Sequence, residues 1–272
     1  MNQMLDPHRD YNQIVALNNS SFKHLERSPS HYRAWKDGLL DAKTTDAQNF
    51  GIAAHCAILE PERFADDYLC LPDTSSCITA AQKAVMTKAA KKDLESSNKF
   101  LLSFADYQAI LHMRHSIYQH PFSKYLLEQG SREWTHTWTD APSGAFCKCR
   151  TDLWLPQHGN LIADVKVCQN LSDEEFGRHV ACYKIHRQAA FYSDGLQAEA
   201  FLIIGMERTP PYAVRVFIVP DFLIKIGRAM YQPLCQLYQE CLTSNQWPGF
   251  SLKVTPLKMP AYAIPENLDL AA

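Results

Sequence analysis

The segments Cys147-Lys-Cys-Arg-Thr-Asp152 and Asn160-Leu-Ile-Ala-Asp-Val-Lys166 decide the fold of this 272-residue chain. The second is an apolar run that ends in charged residues, and a turn sequence separates it from the first. This pattern predicts two strands, at about 145–155 and 160–168, joined as a hairpin. A hairpin of this length brings the charged residues of both strands to one end of a sheet.

The charged residues of this hairpin are typical of metal-dependent phosphodiester hydrolysis. Strand alternation places Asp164 and Lys166 on one face and turns Val165 into the core. Carboxylates of Asp152 and Asp164, with the Val165 carbonyl, offer oxygen ligands to Mg²⁺ or Mn²⁺, and Lys166 positions or deprotonates the attacking water. A purely structural salt bridge between Asp164 and Lys166 is the alternative for that pair taken alone.

The rest of the chain predicts an α/β protein in which helices come before the sheet. We expect a single domain over residues 1–272, mainly helical over about 1–130, with the catalytic sheet core over about 131–272. Further strands are predicted at 133–139, 198–206 and 212–219. Helices are predicted at 18–37 (interrupted at Ser28-Pro29), 51–59, 79–97, 103–120, 172–195 and 220–243.

Four residues outside the hairpin are weaker candidates. Gln188 and Tyr192 lie four apart on a predicted helix and so share a face, from which they could contact phosphate or a base. His55, within an apolar helical run, is by itself more typical of a core histidine. Glu133 opens the strand before the hairpin and could approach the metal ions, although we interpret it as a solvent-exposed strand end.

Composition excludes several classes of protein. No apolar run is long enough to span a membrane, and the first eleven residues lack the apolar core of a signal peptide, so we expect a cytoplasmic protein. The net charge of −2 is nearly neutral, but Lys148 and Arg150 lie next to Asp152, where we expect them to bind DNA phosphates. The nine cysteines form no C-x-x-C pair, which favours reduced thiols over a zinc or iron–sulfur site. Walker, dinucleotide-binding, zinc-protease and serine-hydrolase motifs are absent.

Taken in chain order, these residues resemble the PD-(D/E)XK nuclease superfamily. More narrowly, they are similar to the nuclease domains of exonuclease VIII (RecE) and its phage or prophage relatives. The segments that carry the resemblance are 19–32, 51–64, 147–152, 163–166, 188–192 and 247–249.

The resemblance implies a restriction-endonuclease-like mixed central sheet flanked by helices, with an N-terminal helical lobe. It implies that Asp152 and Asp164 are metal ligands, that Lys166 is the catalytic lysine, and that His55 belongs to the metal site. Gln188 and Tyr192 would organise the site and the DNA backbone. Thr151 and Val167 depart from residues common in that family, but they flank the catalytic positions and replace none of them.

The activity implied by the resemblance is a Mg²⁺-dependent 5′→3′ exonuclease acting on ends of linear double-stranded DNA, with Mn²⁺ as a substitute ion. Its products would be 5′-mononucleotides and a 3′ single strand for a single-strand annealing recombinase. The resemblance also implies a homo-oligomer, a ring-like trimer or tetramer, that does not bind membranes. Two alternatives stay open: an endonuclease or nuclease acting on single-stranded DNA or RNA, and a DNA-binding or assembly protein without catalysis.

Overall fold

The computed structural model describes residues 11–40, 44–74, 79–82, 84–88 and 99–259. Its centre is a five-stranded mixed sheet whose strands follow each other in space in chain order. Neighbouring strands are antiparallel except for the third and fourth, which are parallel. The strands are β3 (Ser131–Thr139), β4 (Phe146–Leu155), β5 (Leu161–Cys168), β6 (Ala200–Glu207) and β7 (Val214–Ile218). A separate parallel pair consists of β1 (Tyr68–Cys70) and β2 (Phe100–Leu102).

Helices precede the sheet and also connect and follow its strands. Those before it are α1 (Phe22–Leu25), α2 (Pro29–Lys36), α3 (Asp46–Leu59), α4 (Pro61–Asp67), α5 (Phe104–Gln119) and α6 (Pro121–Gln129). The crossover from β5 to the parallel strand β6 contains α7 (Asp173–Cys182) and α8 (Ile185–Leu196), and α9 (Asp221–Ser244) follows β7. None of the helices in the described ranges is both long and apolar enough to cross a membrane.

Two apolar cores cover the two faces of the sheet, and β5 contributes to both. Ile162 packs in the core that includes residues of α1, α2, α8 and α9. Ala163 and Val165 face the opposite core, which is formed with α3, α5 and α6. The predicted alternation along β5 is therefore confirmed, and Asp164 and Lys166 lie on the α8 side of the sheet.

The predicted helix 172–195 is wrong in one respect, because it is two helices. Lys184 has a left-handed backbone (φ 54°), which ends α7 and turns the chain into α8. Ser172 makes no side-chain capping bond at the start of α7. The break changes the direction of α8 and packs it against α9, where a Cβ on Gly227 would lie 2.1 Å from the His186 carbonyl oxygen. Only glycine allows this approach, and it holds α8 over the sheet.

Two further helix predictions need qualification. The helix predicted to begin at Gly51 begins at Asp46, because Thr45 and Gln48 form a reciprocal capping box. Within the predicted helix 79–97, residues 80–82 and 84–88 are helical. The remainder of that prediction, 89–97 together with Lys83, lies outside the described residues.

Candidate active site

Asp152 is fixed at the point where β4 and β5 stop pairing. The antiparallel ladder pairs Leu155 with Leu161 and continues to Leu153 with Ala163. Beyond this pair the backbone ladder ends, and a side-chain hydrogen bond follows. The Asp152 Oδ2 accepts the Val165 N–H at 2.7 Å. This bond holds the Asp152 carboxylate at the end of the β4–β5 ladder.

Asp164, which is buried, forms an ion pair with Lys166, whose side chain is 23% exposed. Asp164 is 1% exposed, its Oδ2 lies 2.5 Å from the Lys166 Nζ, and its Oδ1 accepts a hydrogen bond from Gln188 Nε2 at 2.8 Å. Burial raises the pKa of Asp164 even though Lys166 opposes it. For Lys166, burial disfavours the cation, but the charges of Asp164 and then Asp152 outweigh it, so the pKa of the amine is raised. Lys166 is therefore an ammonium ion at neutral pH in the protein alone.

His55 reaches this site from α3 on the opposite face of the sheet. Its Nε2 lies 2.5 Å from the Val165 carbonyl oxygen, and its Nδ1 lies 3.6 Å from Asp152 Oδ2. Because a carbonyl can only accept, the proton must be on Nε2, and the Nδ1 lone pair then faces the carboxylate side. A histidine whose second nitrogen is fixed by a backbone carbonyl has the usual arrangement of a metal ligand.

Glu133 completes the cluster, a role that the sequence interpretation allowed but did not favour. It lies opposite Asp152, between the cross-strand pairs Arg132–Leu153 and Trp134–Thr151, and has a left-handed backbone (φ 48°). Burial, followed by the charge of Asp152, raises the pKa of its carboxyl group to about 8. The interpretation of Glu133 as a solvent-exposed strand end is therefore wrong. The position of Glu133 follows from its register with Asp152 across β3 and β4. The sequence of a single strand does not give this register.

The cluster of His55, Glu133 and Asp152 fits a divalent cation. Each offers one ligand atom, and the three atoms lie within 4.8 Å of one another. Two carboxylates directly opposite each other in a sheet repel unless a cation lies between them. One imidazole nitrogen and two carboxylate oxygens form a donor set suited to Mn²⁺ and, with added water, to Mg²⁺. Asp164 lies beside this cluster with its oxygens engaged by Lys166 and Gln188, and its predicted direct ligation stays a prediction.

Gln188 and Tyr192 both lie near Asp164 on the same face of α8, as their spacing of four residues predicts. Gln188 contacts Asp164, as described above, from the first turns of α8. Tyr192, one turn later, is 8% exposed, and burial, followed by the neighbouring Tyr11, raises the pKa of its hydroxyl group. Its closeness to Asp152 and Asp164 is sufficient for both carboxylates to contribute to that shift. Gln188 thus supports the Asp164 carboxylate from the α8 side, and Tyr192 lies near both carboxylates.

The two predicted DNA-binding cations on β4 have different environments. Lys148 is 5% exposed, and its Nζ donates to the carbonyl oxygens of Tyr11 at 2.5 Å and Ile14 at 2.9 Å. That ammonium binds the N-terminal segment to β4 and does not face the metal cluster. Arg150 lies at the cluster, with its Nε 3.9 Å from Glu133 Oε2. The Arg150 guanidinium carbon also lies 4.5 Å from the centroid of the Tyr11 ring, so both cations contact the N-terminal segment.

A cleft of about 980 Å³ opens onto these residues. Side chains from both sides of the metal cluster form part of its wall, namely His55, Glu133, Lys166 and Gln188. The cleft continues past the end of β5 toward α7 and β6, where Gln169, His179, Tyr183 and Arg208 line it. The cleft therefore brings cationic side chains and candidate metal ligands together on one wall.

The mixed sheet, the Asp164-Val165-Lys166 tripeptide and the metal cluster define the PD-(D/E)XK class of nuclease domains. The family model described as "PDDEXK-like domain of unknown function (DUF3799)" matches residues 18–258, and the chain belongs to this family. The predicted superfamily and fold are therefore confirmed.

One solved structure shares the fold of this chain, and a second is reported beside it. A protein from Eubacterium rectale with a provisional exonuclease designation is 14% identical, with a TM-score of 0.60 over 98% of this chain and 100% of that one. A phage-related exonuclease from Haemophilus somnus 129PT is 12% identical, with a TM-score of 0.36 over 71% of this chain and 95% of that one. No curated protein sequence matches the chain.

Proposed function

We propose that this chain is a Mg²⁺-dependent exodeoxyribonuclease that degrades linear double-stranded DNA from its ends. The observation that carries the proposal is the convergence of His55, Glu133 and Asp152 with the Lys166–Asp164 ion pair on the wall of one cleft. Cofactor-free hydrolysis by a histidine and a nucleophile would need a different set of neighbours. The cluster instead provides ligands for a hard cation next to a fixed positive charge.

The mechanism follows from what each side chain can do. His55, Glu133 and Asp152 would hold the cation, which lowers the pKa of a water molecule and offsets phosphate charge when it is bound. Lys166 donates from its ammonium to a non-bridging phosphate oxygen and orients the attacking water. In the protein alone the pKa of Lys166 is raised, so the lysine enters the site as an ammonium ion that binds and positions. Asp164, held by Gln188, fixes the direction of the lysine.

The finer specificity belongs to the same proposal. We infer 5′→3′ polarity, release of 5′-mononucleotides and a 3′ single-stranded product that an annealing recombinase would use in the cytoplasm. We also infer a ring-like trimer or tetramer that encloses the DNA, with Mn²⁺ able to replace Mg²⁺. The support for these inferences is the sequence resemblance to RecE-type nucleases, together with the provisional exonuclease designation of the Eubacterium rectale protein.

The deciding experiment compares DNA substrates of different topology. Linear duplex labelled at either the 5′ or the 3′ end, with 5′-phosphate or 5′-hydroxyl termini, is incubated with Mg²⁺, and the products are sized over time. We expect mononucleotides from linear duplex, no cutting of covalently closed circles and no reaction in EDTA. Efficient cutting of circles or of RNA would instead identify an endonuclease or RNA-acting enzyme, and activity that survives EDTA would exclude the metal.

A further inference from the structure

Tyr183 is a large aromatic side chain exposed on the wall of the catalytic cleft. It is 68% exposed and lines the same cleft as Lys166 and Gln188. Leaving most of a tyrosine ring in water gives up the burial that usually stabilises such residues. In a cleft built for a polynucleotide, an exposed flat ring offers a surface for another flat ring.

The ring is supported from below by a column of aromatic side chains that reaches the core. Phe217 on β7 stacks on Phe176 with a centroid distance of 4.5 Å, and Phe176 is 3% exposed. His179 stacks on Phe176 at 5.7 Å, and the Tyr183 ring lies 4.6 Å from His179 at 50°. The column connects the buried sheet face to the cleft, so Tyr183 is presented on a supported platform.

The backbone fixes this platform relative to the catalytic groups. Tyr183 ends α7, and Lys184 with its left-handed conformation turns the chain into α8. Lys184 Nζ lies 2.7 Å from both carboxylate oxygens of Glu26, and Arg187 Nη1 binds the same carboxylate at 2.9 Å. Gln188, the next residue, contacts Asp164. Glu26 therefore holds the junction that carries both the exposed ring and the residue that positions the catalytic pair.

We propose that Tyr183, backed by His179, is a stacking site for a nucleobase of the DNA strand held in the cleft. The base would belong to the strand whose phosphate lies at Lys166, because Tyr183 and Lys166 line one cleft. This proposal rests on the proposed nuclease function and adds a substrate subsite to it. Stacking on a ring is sequence-tolerant because every base has a π face, which suits an enzyme that must degrade any sequence.

The proposal is tested by binding, without hydrolysis. Short duplexes with a 3′ or 5′ single-stranded extension carry 2-aminopurine at one of several positions near the junction, and the full-length protein is titrated in EDTA and in Ca²⁺. We expect quenching of 2-aminopurine at one or two adjacent positions in the wild type. Tyr183→Phe should keep the quenching, whereas Tyr183→Leu should lose it and weaken binding about tenfold.

Tyr125→Leu is the matched control, because Tyr125 is an aromatic residue on α6 that is also exposed (40%) and does not line the cleft. It should behave as the wild type. If Tyr183→Leu binds DNA as tightly as the wild type and quenches 2-aminopurine to the same extent, the stacking site is overturned. The nuclease proposal then stays intact. A change of oligomeric state in Tyr183→Leu, measured by light scattering, would also overturn it by assigning the ring to a contact between copies. A wild type that neither binds nor degrades DNA refutes the proposed function itself.

Discussion

Glu133 lies directly opposite Asp152 in the register of β3 and β4, and the two carboxylates share a half-buried site with His55. Burial and the neighbouring charge raise the pKa of Glu133 to about 8. In the protein alone, the Glu133 carboxyl group therefore keeps its proton at neutral pH. A bound cation would instead compensate the negative charge of the carboxylate.

Stability of the metal-free protein should fall as pH rises from about 5 to 8. In this window the folded protein binds a proton at Glu133 that the unfolded chain, with a pKa near 4.5, has lost. The Glu133→Gln variant lacks this group, so its melting temperature in EDTA should fall less steeply than that of the wild type. Glu128→Gln, at an exposed glutamate paired with Lys124, is the control and should follow the wild type. Parallel curves for all three proteins would contradict the raised pKa.

Mg²⁺ should raise the melting temperature of the wild type but not that of Asp152→Asn. Asparagine keeps an oxygen that can accept the Val165 N–H, so the fold is retained while the charge that binds the cation is lost. At a Mg²⁺ concentration of about 100 times the dissociation constant, binding should stabilise the folded protein by about 2.7 kcal/mol. Thermal melts over a Mg²⁺ series measure this, with Asp37→Asn, at an exposed aspartate paired with Arg33, as the control. An equal shift in Asp152→Asn would place the ion elsewhere.

Lys166→Ala should fold and bind DNA but lose most hydrolysis. Removing a positioned cation from charge that develops at a phosphate typically costs about 100-fold or more in rate. The variant should also lose about 1–3 kcal/mol of stability, because the buried Asp164 loses its ion pair. Single-turnover assays and urea unfolding separate the two effects. Unchanged turnover would refute the role of this lysine, and Lys124→Ala should leave both measurements unaffected.

Glu26→Gln should destabilise the protein and reduce turnover even though Glu26 contributes no atom to the metal cluster. Arg187 is 4% exposed and would lose its charged partner, so a cost of about 1–3 kcal/mol is expected for this partly exposed carboxylate. The loss of turnover would come through Gln188, and kcat should fall more than KM rises. Glu174→Gln breaks an exposed ion pair with Arg178 and should change stability by less than about 1 kcal/mol. Equal effects of the two variants would mean that the junction is not held by Glu26.

Lys148→Met should weaken the attachment of the N-terminal segment without changing the electrostatics of DNA binding. Its ammonium is bound to two carbonyl groups and is not directed at the cleft. The slope of log Kd against log salt concentration should equal that of the wild type, whereas loss of a phosphate contact would reduce it by about 1. A reduced slope would restore the sequence-based prediction that Lys148 binds DNA. The melting temperature should fall in either case.

Local sequence patterns predicted much of the architecture. The alternation along β5 predicted the opposite directions of Val165 and Asp164, and Ser28-Pro29 correctly separated α1 from α2. The break between α7 and α8 was missed because Lys184 has no special preference for a left-handed backbone. There the conformation depends on the ion pairs with Glu26, 158 residues away along the chain.

The sequence by itself determined the strand pair that carries Asp152, Asp164 and Lys166, because the period of two along a strand and the turn between the strands are local properties. It also determined that Gln188 and Tyr192 share a helix face. Only the tertiary structure decided that Glu133 lies beside Asp152 and His55 and that Lys148 is not at the cleft, since both depend on which strands and segments lie beside β4. Glu133 and Asp152 are 19 residues apart in the chain, and Lys148 and Ile14 are more than 130 apart. These are long-range contacts, and no local pattern encodes them.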